Sequence, residues 1–187
     1  MCILKFKEQP INPANPDTIP KFIDQLIKPP TAISRVNKNY PGTYYEIKMM
    51  KAKHQFHRNF PYSDVWGYDG IVPGPTIEAK KDYTTYVKYL NKLPEKHFLP
   101  IDFSLHVANN SPEVRTVVHL HGANVDSASD GHPEAWYTKD YAATGPTFKR
   151  EVHAYTNHQP GTTMWYHDHS MGLTRLNVCA GLAGFYL

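Results

Sequence analysis

Apolar and polar positions alternate along most of this chain from Thr43 onward. In YTTYVKYL, Tyr83, Thr85, Val87 and Tyr89 fall on one face. The segments TYYEIKMM, HQFHRNF, TIEAK, VRTVVHL, FKREVHAY, TTMWYHDH and VCAGLAGFYL are likewise rich in β-branched and aromatic residues. Turn chemistry separates them, as VPGPT at 72–76, NKLPEKH at 91–97, NNSPE at 109–113 and QPG at 159–161. About seven or eight short strands without a long helix predict an all-β sandwich or Greek-key barrel over residues 43–187. Residues 1–42 read differently. Pro10, Pro13, Pro16, Pro20, Pro29, Pro30 and Pro41 predict an extended N-terminal arm. It has room for one short amphipathic helix, with Phe22, Ile23, Leu26 and Ile27 on one face and Pro29 and Pro30 as its stop. That face is expected to dock on the body. The stretch from Gly122 to Pro146 has little periodicity, and a loop that long in a compact domain is usually functional.

Composition narrows the classes. Of 187 residues, 20 are Lys or Arg and 17 Asp or Glu, a net charge of +3 that supports no nucleic-acid partner. Lys48, Lys51, Lys53 and Arg58 read as a solvated strand face. Mean hydropathy is −0.53, and the longest apolar run, Val178 to Leu187, is too short to span a membrane. The opening MCILKFKEQPINP lacks the apolar stretch of a secretory signal, so cytoplasmic synthesis is expected. Two cysteines, Cys2 and Cys179, exclude a disulfide scaffold and a cysteine-rich zinc site. That leaves the 11 histidines.

Two His-x-His pairs stand out, His119-Leu120-His121 and His167-Asp168-His169, each at the end of an expected strand. Residues i and i+2 of a strand project to one face, so each pair presents two imidazoles about 7 Å apart at Cα. That spacing lets both rings engage one metal, or two metals a few Å apart. Chance yields about 0.6 such pairs at this histidine content, so the bare spacing is weak, and strand histidines satisfied by carbonyls or water are the alternative. The flanks strengthen the metal reading: Val117 and Val118 lead into the first pair, and Met164, Trp165 and Tyr166 into the second. Four nitrogens without thiolate argue against finger-type zinc and iron–sulfur; imidazole suits copper, zinc, iron and nickel. A blue-copper site needs a cysteine followed by histidine. Cys179 has none after it and reads as a small buried hydrophobe in the last strand. Trp136 and Trp165 are expected to pack the domain. His54, His57, His97, His106, His153 and His158 show no ligand spacing, and Asp130 before Gly131 suits a turn.

Longer motifs carry a resemblance. TVVHLHG at 116–122, SDGHPEAWY at 129–137, TGPTFKREV at 144–152 and MWYHDHSMGLTRLNVCAGLAGFYL at 164–187 resemble the first cupredoxin domain of a multicopper oxidase. WGYDGIVPGPTIEAK at 66–80 is similar to the strand and turn preceding the first ligand motif. The nearest subgroup is the bacterial spore-coat laccase and bilirubin-oxidase type. The resemblance implies a cupredoxin-like Greek-key fold and copper. It further implies that His119 ligates a type 2 copper, that His121 and His167 share one type 3 copper, and that His169 ligates the other. Asp130 would help supply protons for the reduction of O₂ to water. His132 departs from the aromatic residue expected there and reads as an exposed loop histidine. The implied reducing substrate is a phenol, aromatic amine, bilirubin-like pigment or metal ion, and spore-coat deposition follows only by analogy.

The chain also departs from the family pattern. The second pair of His-x-His motifs and the type 1 site are missing, and the sequence stops within the apolar AGLAGFYL. The expectation is a domain cut short at its C-terminus, contributing half of a trinuclear cluster and inactive without C-terminal cupredoxin domains. Its exposed apolar face would favour association. Two alternatives share its residues: a non-catalytic copper-binding module and a structural coat-protein remnant. A cupin-type mononuclear enzyme would need an acid between Gly122 and Val125 and a lone histidine in the second motif; neither is present.

Overall fold

The computed structural model describes residues 15–105 and 110–187. Eight strands form two four-stranded sheets among these residues. The first sheet takes β1 (Thr43–His54), β2 (Ser63–Tyr68), β4 (Thr85–Asn91) and β6 (Val152–Tyr155), in the order β2-β1-β4-β6. The second takes β3 (Gly74–Ile77), β5 (Val118–His121), β7 (Met164–Asp168) and β8 (Ala183–Tyr186), in the order β3-β8-β7-β5. β1 runs parallel to β4 and β3 parallel to β8, so the chain crosses between sheets rather than winding as hairpins. This is the all-β sandwich that the alternation predicts.

Strand alternation builds the core. In β4, Thr85, Val87, Tyr89 and Asn91 are buried while Tyr86, Lys88 and Leu90 are partly exposed. Ile47 and Met49 from β1 and Trp66 and Tyr68 from β2 meet Leu120, Tyr166 and Tyr186 from the second sheet. Tyrosine bulk replaces much of the usual aliphatic packing. The Tyr68 and Tyr166 rings lie 4.8 Å apart, and Tyr89 lies 5.9 Å from both. β7 passes the core with Met164, Tyr166 and Asp168 inward, which leaves Trp165 and His167 on the outer face.

Several expectations are corrected. The helix expected around Phe22 to Ile27 does not form. Phe22 has φ +60°, and Phe22, Leu26 and Ile27 stand in solvent rather than docked. Pro20 and Pro29 leave too few residues between them for a helix that lacks tertiary support. The extended chain instead follows β3, with Ala32 N–H donating to Thr76 O and Thr76 N–H to Pro30 O, both at 2.8 Å. HQFHRNF is not a strand; β1 ends at His54 and bends follow. A strand absent from that expectation, β2, pairs antiparallel with β1.

The run Val178 to Leu187 is not one strand either. A seven-residue helix, α1 (Thr174–Ala180), takes its first residues. Gly181, at φ +123°, ends it, and Leu182 N–H closes back on Asn177 O at 3.1 Å. Cys179 therefore lies exposed on a helix, not buried in a strand; Cys2 lies outside the described residues. No helix among the described residues is long and apolar enough to cross a membrane.

Candidate metal centre

β5 is the edge strand beside β7, in a register that sets His119 opposite His167 and His121 opposite Trp165. Val118 and Leu120 fill the core, so His119 and His121 must point outward. His169 follows one residue after β7, its N–H held by Val117 O at 2.8 Å. Adjacent strands thus turn two sequence pairs into one four-imidazole cluster. One ring nitrogen from each of His119, His121 and His167 lies within 4.8 Å of the others. His169 stacks on His119 with ring centroids 4.8 Å apart.

Backbone carbonyls orient three of the four rings. His119 Nδ1 donates to Asp130 O, His169 Nδ1 to Gly131 O and His167 Nδ1 to Asp168 O, at 2.5, 3.1 and 2.7 Å. A carbonyl oxygen only accepts, so each Nδ1 carries the proton and each Nε2 keeps its lone pair. That is the tautomer of a histidine that ligates through Nε2. His121 differs: its Nδ1 faces His167 Nε2 at 3.2 Å. Burial pushes the His167 pKa down to about 4, and the neighbouring imidazoles add to the effect. Burial also lowers that of His169. Both shifts favour the neutral ring that ligation requires. An imidazole set whose nitrogens converge fits copper by donor chemistry.

Asp130 places its backbone, not its carboxylate, in closest contact with the cluster. Its Oδ1 lies 3.5 Å from His119 Nδ1, and its side chain is 48% exposed. His132 is exposed, as expected; its Nδ1 accepts from Glu134 N–H at 3.2 Å. His106 lies outside the described residues.

Several contributors carry no motif in the sequence. Trp165 does not pack the interior as expected; it stacks on His167, centroids 3.9 Å apart, and remains 38% exposed. Alternation along MWYHD signals that placement once the inward face is known. Asp168, between the two ligand-type histidines, is fully buried. It accepts from Val117 N–H at 3.1 Å, Ser170 N–H at 3.0 Å and Asn177 Nδ2 at 2.8 Å. Burial raises its pKa to about 6 against the pull of these donors. Arg115, also buried, donates to Pro112 O and Met171 O, which fixes the turn after His169. No local pattern marks Arg115, Asn177 or Asp168 as parts of one network.

Comparison with known proteins bears on the family and the fold. A family model for multicopper oxidases matches residues 49–102 and 101–187. A laccase of Bacillus subtilis (strain 168) is 52% identical over 173 residues, 91% of this chain and 34% of that protein. A laccase of Bacillus stratosphericus is 54% identical, covering 89% of this chain and 33% of its own length. The crystal structure of a laccase from Pediococcus acidilactici superposes with a TM-score of 0.65 at 24% identity, over 90% of this chain and 30% of that one. The chain spans about a third of the length of the curated relatives it matches. With the family model covering most of the sandwich and these relatives above half identity, the chain belongs to the multicopper oxidase family, which implies copper.

Proposed function

We propose that this chain supplies four imidazole ligands of the copper cluster at which a laccase-type oxidase reduces O₂ to water. In this reading His119 holds a type 2 copper, His121 and His167 share one type 3 copper, and His169 holds its partner. The observation that carries it is the 3.2 Å approach of His121 Nδ1 to His167 Nε2 within the ring cluster. Two such nitrogens aimed at one point share either a proton or a metal ion. Residues 43–187 are taken as the copper-bearing domain and 1–42 as its arm. The relatives' threefold greater length suits the need for further histidines and for a type 1 site.

Copper, when bound, supplies the one-electron chemistry. The chain's own residues do the rest. The carbonyls of Asp130, Gly131 and Asp168 keep Nδ1 protonated and aim Nε2. Trp165 shields one face of His167 from water. The Asp130 carboxylate, open to solvent and beside His119, takes protons from water and hands them toward the cluster. The reducing substrate is a phenol, aromatic amine, bilirubin-like pigment or metal ion, oxidised at the type 1 site of the longer protein.

The test is copper content per chain, measured with O₂-dependent phenol oxidation on the same sample. Fractional, weakly held copper without turnover is expected. Tight stoichiometric copper without turnover would favour a self-sufficient binding module. Turnover by this chain alone would overturn the reading.

A further inference from the structure

Three consecutive carbonyls in the loop between β5 and β6 each accept from a histidine Nδ1. Ser129 O faces His153 at 2.9 Å, Asp130 O faces His119 at 2.5 Å, and Gly131 O faces His169 at 3.1 Å. His119 and His169 belong to the cluster. His153 comes from β6 in the opposite sheet and is buried.

Ser129 is itself fully buried, and β6 grips it twice. The His153 ring takes its carbonyl, and Ala154 N–H donates to its hydroxyl at 3.0 Å. Asp126 Oδ1 accepts from Ser129 N–H at 2.8 Å. Two residues on, Gly131 adopts φ +77° against β5, where a Cβ would come within 2.1 Å of Val118 O. The loop is thus wedged between β6 and β5 with little freedom to slide. The His153 ring is fixed in turn by Tyr89 and Tyr155, at centroid distances of 5.6 and 5.9 Å. Burial pushes the His153 pKa down to about 4, so the ring stays neutral with its single proton on Nδ1.

We propose that His153 is a positioning residue for the metal centre: by holding the Ser129 carbonyl it places the next two carbonyls, and through them sets the tautomer and ring orientation of His119 and His169. The consequence for copper rests on the function proposed above; the consequence for the tautomers does not. A partner bonded directly to a ligating histidine typically changes metal affinity 10- to 100-fold; His153 acts through the adjoining backbone, so an effect at the low end of about tenfold is expected.

Two substitutions separate positioning from packing. His153→Phe keeps a ring of similar bulk and loses the donor. His153→Asn leaves a void but keeps an N–H near the position of Nδ1. The tautomers of His119 and His169 are read by ¹H–¹⁵N NMR on the metal-free chain, and Cu(II) affinity by titration against a chelator. His153→Phe is expected to mix the two tautomers and weaken copper binding about tenfold. His153→Asn is expected to keep both tautomers and an affinity within about threefold of the parent. Unchanged tautomers in His153→Phe would overturn the proposal. So would equal damage in both variants, including loss of the fold in both, because packing alone then explains the residue. Mixed tautomers in His153→Phe together with no copper binding by the parent chain would sink the copper reading and leave the loop inference standing.

Discussion

A ring nitrogen is a ligand only when it lacks a proton, and at His119, His167 and His169 a backbone carbonyl decides which nitrogen that is. The hold on His119 therefore does not require the Asp130 carboxylate, although that carboxylate lies beside the ring. Asp130→Asn is expected to leave copper affinity within about threefold, since the carbonyl remains. His167→Ala is expected to weaken it at least about a hundredfold, because in the proposed function His167 shares a copper with His121, whose Nδ1 it approaches at 3.2 Å, and because it carries the stack of Trp165. Both values come from one chelator-competed titration. A large loss in Asp130→Asn would shift the orienting role from backbone to side chain.

At the scale of elements, two edges of the fold decide what the chemistry can use. β5 lies at the end of its sheet, so it has β7 on one side and, on the other, room for the 129–131 loop whose carbonyl accepts from His119 Nδ1. Helix α1 interrupts what reads as one apolar run, and Gly181 turns the chain so that only Ala183–Tyr186 completes the sheet. The interruption moves Cys179 to the surface. Cys179 is therefore expected to react with a thiol-specific reagent in the native state, at nearly the rate seen in denaturant. Protection until unfolding would return it to the interior and contradict the helix placement.

Across the whole molecule, buried imidazoles couple stability to pH. His153 and His167 have pKa values lowered to about 4, whereas the unfolded rings titrate near 6.5. Between those values the unfolded chain binds more protons, so stability falls as pH falls. Asp168 opposes them. Its carboxyl titrates at about 6 in the fold against 3.8 unfolded, so it favours the folded state as pH drops through that window. Burial lowers the pKa values of His97 and His169 as well, so the histidines outweigh the one carboxylate and unfolding takes up protons on balance from pH 7 to pH 5. The urea midpoint of the metal-free chain is expected to fall steadily from pH 7 to pH 5. A flat or rising midpoint over that range would mean that the rings are solvated in the folded protein.

The two outward histidine pairs and the sandwich class were legible in the order of residues because each depends on local spacing. Alternation puts His119 with His121 on one strand face, and Thr85 with Val87 and Tyr89 on another, whatever else the chain does. The family was legible through the resemblance of motifs as long as TVVHLHG and MWYHDH, which spacing alone does not carry. What joins distant segments was not legible. The register that sets His119 against His167 is a property of two strands together. Only packing between the sheets brings His153 to Ser129 and buries Asp168 among Val117, Ser170 and Asn177. The same physics explains the errors. The stretch around Phe22 to Ile27 has helical periodicity but no surface to dock on, and the segment from Val178 has apolar residues but a glycine where the backbone must reverse. Local pattern states which face a side chain takes; the contacts made at that face come from chain far away in sequence, and those contacts determine which histidine nitrogens are free to bind metal.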